Sequence, residues 1–426
     1  MKNHQQGFVA LYLTLLVVFV LSGIGVSAFV LTSAQQRSIQ NTKASLKAYY
    51  GAEAGVEDAL LRVGQDMNWS NSYSFSLGEG FVDVSISPII GGVHTIMGQG
   101  DVGGRIRKAQ AVYGFSSEDI SFNFGAHVGN PSIACPPACG GLEMQHNDSE
   151  IIGNVFSNAD IFGLSGATIT DSVVIAGVGN TLKDVRVNGD VETYNCDNAT
   201  IDGNLKYNLA GTNSCAVAGS VSSTSDVTAT TDFPITPTMI ADWKAIAEAG
   251  GIVDGGGDVD IGEDRVLGPG KVTGNLTIAN NMTLTLEGTL WVTGTFVPGN
   301  NAIVELNDNY GDLSGGLIID QTVNISNNVV LRGSGVEGSF LLVIGTSSSL
   351  DELVPAIGVA NNADSAIMFA PNGVIVIQNN ASLVEVTAHK ILIKNATVIY
   401  NLGLVSAKFT TGPGGEWKLM SWKEVE

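Results

Sequence analysis

The chain opens with an apolar stretch that runs into an amphipathic one. Residues 8–31 carry no charge. A signal peptide has an apolar core of up to about 15 residues, whereas a membrane-spanning helix needs about 20. Apolar residues then recur at helical spacing as far as Val63. The pattern predicts one helix over residues 8–64, with residues 8–31 in the membrane and a polar leader at residues 1–7.

Short alternating runs follow the predicted helix. They occupy residues 72–77, 81–86, 94–97 and 106–112, and glycine-containing turns separate them. These runs predict a small antiparallel sheet within residues 65–125. Because such a sheet cannot bury its own apolar face, we expect it to pack on the C-terminal half of the helix.

The pattern changes to an irregular repeat after about residue 140. One unit, apolar-x-Gly followed by a polar and an apolar residue, starts at residues 151, 187, 201, 217, 272 and 292. A second unit, Asn-Asn-apolar, starts at residues 280, 300, 327, 361 and 379. Gly and Asn accept left-handed corners, and β-branched runs between such corners are typical of solenoids.

The repeat predicts a parallel β-helix over residues 140–411, with an Asn ladder along its corners. The runs 374–377 and 391–393 are expected to fill its interior. An antiparallel sandwich, which also uses glycine-rich turns, remains the alternative. The predicted fold is therefore mainly β: a long N-terminal helix, a small antiparallel sheet and a C-terminal parallel β-helix.

Two segments do not follow the predicted β-helix repeat. Residues 236–250 carry helix punctuation, with Thr236 as N-cap and Pro237 in the first turn, and Met239, Trp243 and Ile246 form the predicted apolar face. Residues 412–426 contain two tryptophans in a glycine-rich tail. We expect this tail to cap the open end of the β-helix.

Charge and cysteine content restrict the partners and the compartment. The chain of 426 residues has a formal net charge of −21, and all of the acidic excess lies beyond residue 70. Such a surface repels phosphate, so nucleic acid is not an expected partner.

Four cysteines allow three pairings, of which Cys135–Cys139 and Cys196–Cys215 are the simplest. Free thiols are the alternative, and the sequence shows no clustered metal ligands. Disulfides indicate a location outside the cytoplasm.

The segment Tyr50–Leu60 (YGAEAGVEDAL), behind a polar leader and an apolar helix, resembles the N-terminal region of PilX-type minor pilins. The resemblance covers about residues 1–65. It implies cleavage by a prepilin peptidase after Gly7, which leaves Phe8 as the mature N-terminus. Tyr12 departs from the family, because pilins usually carry Glu at the fifth mature position. The alternative for this region is a plain membrane anchor.

The resemblance implies a surface-displayed minor pilin-like protein, structural or adhesive, whose partners are other pilins, the pilus assembly machinery and the inner membrane. Host or surface glycans are further candidate partners. Residues from about 140 onward also resemble repeat domains fused to PilX-like N-termini in bacterial envelope proteins. We expect anchoring in the cytoplasmic membrane with an extracytoplasmic C-terminal domain. The cations just after the apolar stretch favour the opposite orientation, but the acidic bulk and the cysteines outweigh them.

The acidic loops are the remaining candidates for chemistry. Asp254, Asp258 and Asp260 lie in a glycine-rich loop that could hold calcium, although the loop lacks the EF-hand register. A membrane-anchored polysaccharide lyase or hydrolase is the alternative function, with those aspartates and Glu263, Asp264, Asp308 and Asp312 as candidates. Glycine-rich acidic loops are more often solvated turns, which is the interpretation favoured here. We therefore expect no enzyme and no cofactor apart from a candidate Ca²⁺.

Overall fold

The fold was analysed in a computed structural model that describes residues 5–64, 70–87, 93–115, 122–131, 141–164, 166–363, 366–401, 404, 407–409 and 417–425. By its internal contacts the chain divides into two compact units. The first is the N-terminal unit, with residues 1–88, 94–113 and 419–426. The second is the solenoid, with residues 89–93 and 114–418.

Helix α1 of the N-terminal unit is continuous from Gln5 to Gly64, which confirms the predicted long helix. The strands that follow it are β1 (Ser72–Leu77), β2 (Gly80–Ile86), β3 (Val93–Val102) and β4 (Arg105–Phe115). β1 pairs with β2, and β2 with β3, in antiparallel register. The sheet packs its apolar face on the C-terminal part of α1, as the pattern predicts.

The solenoid is a stack of parallel rungs of the β-helix type, built from two sequence halves. The strands of the first half are β5 (Ala126–Val128), β6 (Leu142–Met144), β7 (Glu150–Ile152), β8 (Val155–Ser157), β9 (Ile161–Gly163), β10 (Thr168–Ile169), β11 (Val173–Ile175), β12 (Thr181–Lys183), β13 (Arg186–Val187), β14 (Val191–Thr193), β15 (Asn195–Asp197), β16 (Thr200–Ile201), β17 (Leu205–Asn208), β18 (Ala216–Val217) and β19 (Val221–Thr224).

Helix α2 (Pro237–Ala249) precedes the second half. The strands of the second half are β20 (Val259–Ile261), β21 (Arg265–Leu267), β22 (Gly270–Val272), β23 (Leu276–Ile278), β24 (Thr283–Leu286), β25 (Leu290–Val292), β26 (Phe296–Pro298), β27 (Ile303–Leu306), β28 (Leu313–Ile319), β29 (Val323–Ile325), β30 (Val330–Arg332), β31 (Leu341–Gly345), β32 (Ile357–Val359), β33 (Ile367–Gln378), β34 (Ser382–Leu383), β35 (Glu385–Lys394), β36 (Thr397–Ile399) and β37 (Lys408–Phe409).

The rungs do not stack in sequence order. The first rung, β5–β7, lies against the last long rung, β35–β36, of the second half: Ala126 pairs with Val386, Leu142 with Ile391, and β7 with β36. We call this junction the seam. The chain therefore enters the solenoid in the middle, winds to one end at β19, and restarts at the other end with β20.

Residues 225–251, the return segment, carry the chain back along the outside of the solenoid. Gly177 donates from its amide to the Thr228 carbonyl at 3.0 Å, and the Asn158 side chain donates to the Thr231 carbonyl at 2.8 Å. Farther on, Lys244 pairs with Asp320 at 2.5 Å. Thr236 and Pro237 begin α2 as predicted, but its buried face consists of Ile240, Trp243 and Ala247 rather than the predicted Met239, Trp243 and Ile246.

The predicted corners stack as ladders. Asn301 donates from its side-chain amide to Asn281 at 3.0 Å, Asn328 to Asn301 at 3.0 Å, and Asn362 to Asn328 at 3.1 Å. All four residues have positive φ, which Asn accepts more readily than most residues. At the other kind of corner, a Cβ on Gly203 or Gly219 would clash with the backbone of the rung below, so glycine is required there.

Besides the buried face of α2, three sequence predictions need correction. The β-helix begins at Ala126, not at residue 140. Of the run 374–377, only Ile375 and Ile377 enter the interior, while Val374 and Val376 form a separate cluster with Leu392, because alternate residues of a strand face opposite ways.

The third correction concerns the tail. Strand β38 (Trp417–Val425) does not cap the solenoid as predicted for residues 412–426; it is the fifth strand of the antiparallel sheet, beside β4. Trp422 packs half-buried on the core between α1 and that sheet, and Glu424 pairs with Arg107 at 2.9 Å. An alternating apolar strand with tryptophan fits any open sheet edge, so its pattern does not reveal which edge it joins.

Candidate functional site

The apolar half of α1 is the first candidate site. Its large side chains from Leu11 to Leu31 are exposed, with Phe19 at 79% and Phe29 at 72%. The polar side chains among them bond within the helix: Thr14 donates to the Leu11 carbonyl at 2.9 Å and Ser22 to the Val18 carbonyl at 2.7 Å. By length and composition this helix is able to cross a membrane.

The small residues of α1 explain how the sheet can approach it so closely. A Cβ on Gly98 or Gly100 of β3 would clash with the carbonyl oxygen of Ala52 or Ala48. Glycine on the strand and alanine on the helix therefore bring the two backbones together. The AEAG stretch thus has a packing role in the N-terminal unit.

The comparison with known families bears on the same segment. Residues 6–57 match the family described as PilX N-terminal. The N-terminal region is type IV pilin-like. The matched residues of this pilin-like region include the exposed apolar helix and the small residues that pack on the sheet, and they end before the solenoid begins.

A solved structure, the competence-associated pilin ComZ from Thermus thermophilus, matches with 12% sequence identity and a TM-score of 0.27, over 90% of this chain and 97% of that chain. A TM-score this low does not establish a shared fold, so it supports no argument about function. No match was found among curated proteins.

The predicted processing site lies at the start of α1. Gly7 and Phe8 both belong to the helix. Tyr12, the departure from the pilin glutamate, is 67% exposed on the same helix. The cleavage after Gly7 stays a prediction.

The predicted Cys196–Cys215 disulfide is formed, with Cα atoms 5.7 Å apart. Cys196 is fully buried in the solenoid core, and Cys215 packs against that core. The bond ties β15 to the segment just before β18. Cys135 and Cys139 lie outside the described residues, so their predicted pairing stays a prediction.

The aspartates of the candidate calcium loop are each engaged elsewhere. Asp254 forms a two-bond ion pair with Arg265, at 2.5 and 2.8 Å, which lowers the pKa of that carboxyl group. Asp258 accepts from the Asn275 amide at 2.7 Å, and Asp260 accepts from the Thr277 hydroxyl. Within the described part of the chain, no three Asp, Glu, His or Cys side chains are grouped to hold a metal ion. Calcium binding therefore stays a prediction without structural support.

A cavity that sequence reasoning did not identify lies at the seam. It encloses about 240 Å³ and is lined by residues of β5, β35, the preceding loop and the return segment: Phe122, Asn123, Phe124, His127, Thr231, Asp232, Pro234, Glu385 and Thr387. His127 and Glu385 are 258 residues apart in sequence. The sequence carried no signal for this site, because the unexpected rung order brings the two residues together.

Proposed function

We propose that the protein is a minor pilin-like subunit that displays the solenoid outside the cytoplasmic membrane. The observation that supports this best is the match of residues 6–57 to the PilX N-terminal family, on a helix whose large apolar side chains are exposed from Leu11 to Leu31. An exposed stretch of this size calls for a bilayer or for neighbouring helices. The partners are other pilins and the assembly machinery.

The location outside the cytoplasm is supported by the Cys196–Cys215 disulfide, since such bonds persist in oxidising compartments. The acidic excess of the chain suits a soluble surface body. An adhesive role, with surface glycans as ligands, follows from displaying a large folded domain in this way. A polysaccharide-active enzyme is the alternative, and a test for sugar release from envelope polysaccharides would detect it.

Tyr12 points to rare incorporation. In pilins the fifth mature residue is usually a glutamate that pairs with the N-terminal ammonium of a neighbour, and tyrosine supplies no charge for this pair. The subunit is therefore expected near filament ends or at the cell body. A single subunit there would not need to fit a continuous lattice of identical helices.

Two measurements on native envelopes test the proposal. Mass spectrometry should find Phe8 as the first residue, and immunogold labelling should mark filament tips or the cell body. Tyr12→Glu should increase labelling along filaments, whereas the matched control Tyr12→Phe, which adds no charge, should not. An intact N-terminus together with no filament-associated label would leave only a membrane anchor.

A further inference from the structure

The seam cavity contains two buried polar groups on adjacent strands. β35 and β5 pair in parallel with Thr387 opposite His127, and Glu385 lies two residues earlier on the same face as Thr387. The face points away from the solenoid interior and is covered by Phe233 of the return segment, whose ring lies 4.9 Å from that of His127. Rungs of both halves and the return segment thus enclose the cavity.

Glu385 is 1% exposed. The Thr387 hydroxyl donates to its Oε1 at 2.5 Å, and Oε2 has no hydrogen-bond partner among the described residues. Burial raises the pKa of this carboxyl group well above its usual range, which favours its protonated form. In that form the carboxyl is a hydrogen-bond donor, and it has no acceptor among the residues that the structure describes.

His127 is 4% exposed, and burial lowers its pKa to about 4. The ring bonds to the Thr231 backbone, while Nε2 has no partner in the described part of the chain. A neutral imidazole that donates to a carbonyl through one nitrogen presents the other as an acceptor. Rings of Phe124, Phe156 and Phe233 surround it, with centroids 5.6, 5.3 and 4.9 Å away.

We propose that the seam cavity binds a neutral hydroxylated ligand of about monosaccharide size. A sugar hydroxyl both donates and accepts, so a pair of hydroxyls satisfies the Glu385 donor and the His127 acceptor. Both groups are buried without a partner among the described residues, and a bound hydroxyl would relieve the free-energy cost of leaving them unpaired. The cavity volume of about 240 Å³ is below the range of about 300–1,000 Å³ for drug-sized ligands, so the cavity suits a smaller ligand such as a monosaccharide.

The surroundings favour this class over charged ligands. Asp232, exposed at the rim, repels anions. It attracts cations, but only from solvent, because the buried floor of the cavity gives a cation no opposite charge unless Glu385 ionises in an apolar setting. The half-buried ring of Phe124 lines the cavity and offers a face for the C–H groups of a sugar ring. This inference goes beyond the proposed assembly role and does not depend on filament incorporation.

The test uses the full chain, purified in a detergent without a sugar headgroup, because maltoside or glucoside micelles would compete. Saturation-transfer NMR and thermal-shift titrations would use glucose, galactose, mannose and N-acetylglucosamine as probes, with acetate and methylammonium as charged comparisons. At least one sugar should bind saturably. Binding should weaken tenfold or more in Phe124→Ala and Glu385→Leu.

Conservative and matched variants keep the test independent of folding. Glu385→Gln retains a donor of the same shape and should bind like the native chain. His127→Phe should abolish binding. His389→Phe should not, because it replaces an equally buried histidine of β35 that lies outside the cavity. No saturable binding by any sugar, binding only by a charged probe, or native affinity in both Phe124→Ala and Glu385→Leu would overturn the proposal.

Discussion

The two halves of the solenoid reach stability by different means. Strands of the first half contain two to four residues, and its last strand, β19, is largely exposed, with Val221 at 51%. In the second half β33 and β35 contain 12 and 10 residues, and most of their side chains are buried on both faces. Most of the first half therefore has one core, whereas its first rungs at the seam and part of the second half are covered on the outside as well.

Each half is reinforced in a way that matches its core. Cys196–Cys215 crosslinks the first half next to its exposed end, where little apolar surface is left to bury. The second half stacks an Asn ladder over four rungs, from Asn281 to Asn362. The comparison indicates that a solenoid end with little buried apolar surface is stabilised by a covalent crosslink, which does not depend on burial. The half with more buried surface is stabilised by hydrogen-bonded corners alone.

Replacing a buried leucine by alanine should show the largest difference in stability between the two halves. Leu290→Ala, in the second half, should lower the free energy of unfolding by about 2–5 kcal/mol, because it leaves a cavity in a fully buried rung. Leu205→Ala, near the exposed end, should release only the end rungs, since rungs contact only their neighbours. Hydrogen exchange by segment measures both. Loss of protection throughout the solenoid in Leu205→Ala would show that the halves unfold as one.

Removal of the disulfide should have the next largest effect. The bond spans 19 residues, and Cys196→Ala with Cys215→Ala should cost about 3 kcal/mol in the first half by the loop-entropy model. Exchange should accelerate in residues 195–224 and remain unchanged in 276–278. Equal acceleration in both segments would contradict a local role for the crosslink.

The seam should make stability depend on pH in two opposite directions. The pKa of His127 falls from 6.5 to about 4 on folding, so stability is lost as the pH drops below 6.5, by about 3 kcal/mol once it is below 4. The pKa of Glu385 is raised in the folded protein, so the folded state holds this proton more tightly than the unfolded chain does. The contribution of Glu385 to the free energy of unfolding therefore falls as the pH rises above 4.5.

Chemical denaturation from pH 4 to 8 measures these slopes. Glu385→Gln should remove the loss at high pH. His127→Phe should remove most of the loss at low pH, while the buried His94 and His389, whose pKa values are also lowered, retain part of it. Unchanged slopes in both variants would mean that the seam is open to water.

The ladder should give the smallest change. Asn328→Gly keeps the left-handed corner but loses side-chain bonds to Asn301 and Asn362, which should cost about 1 kcal/mol. Asn328→Ala should cost more, because alanine is strained at φ 56°. Asn198→Gly, in the first half, loses one bond to Asp184 and should cost less than Asn328→Gly. If urea midpoints rank the two glycine variants the other way, the corners do not differ as described.

Local features were predictable from sequence, and long-range pairing was not. The long helix and the Asn corners follow from an uncharged run and from paired asparagines, whose effects act within a few residues. The stacking of Leu142 on Ile391, and of β38 on β4, depends on which of several similar edges is left open. The seam cavity follows from that choice, so neither His127 nor Glu385 could be selected in advance.

The entry of the chain at mid-solenoid has a consequence for the order of events during synthesis. The outer edge of β5 and β6 stays unpaired until residues 385–394 have emerged, and β4 waits still longer for residues 417–425. An open edge is a template for pairing with other chains. The emerging polypeptide is therefore most vulnerable to misassembly late in synthesis, and a chaperone that shields strand edges would protect it most during that interval.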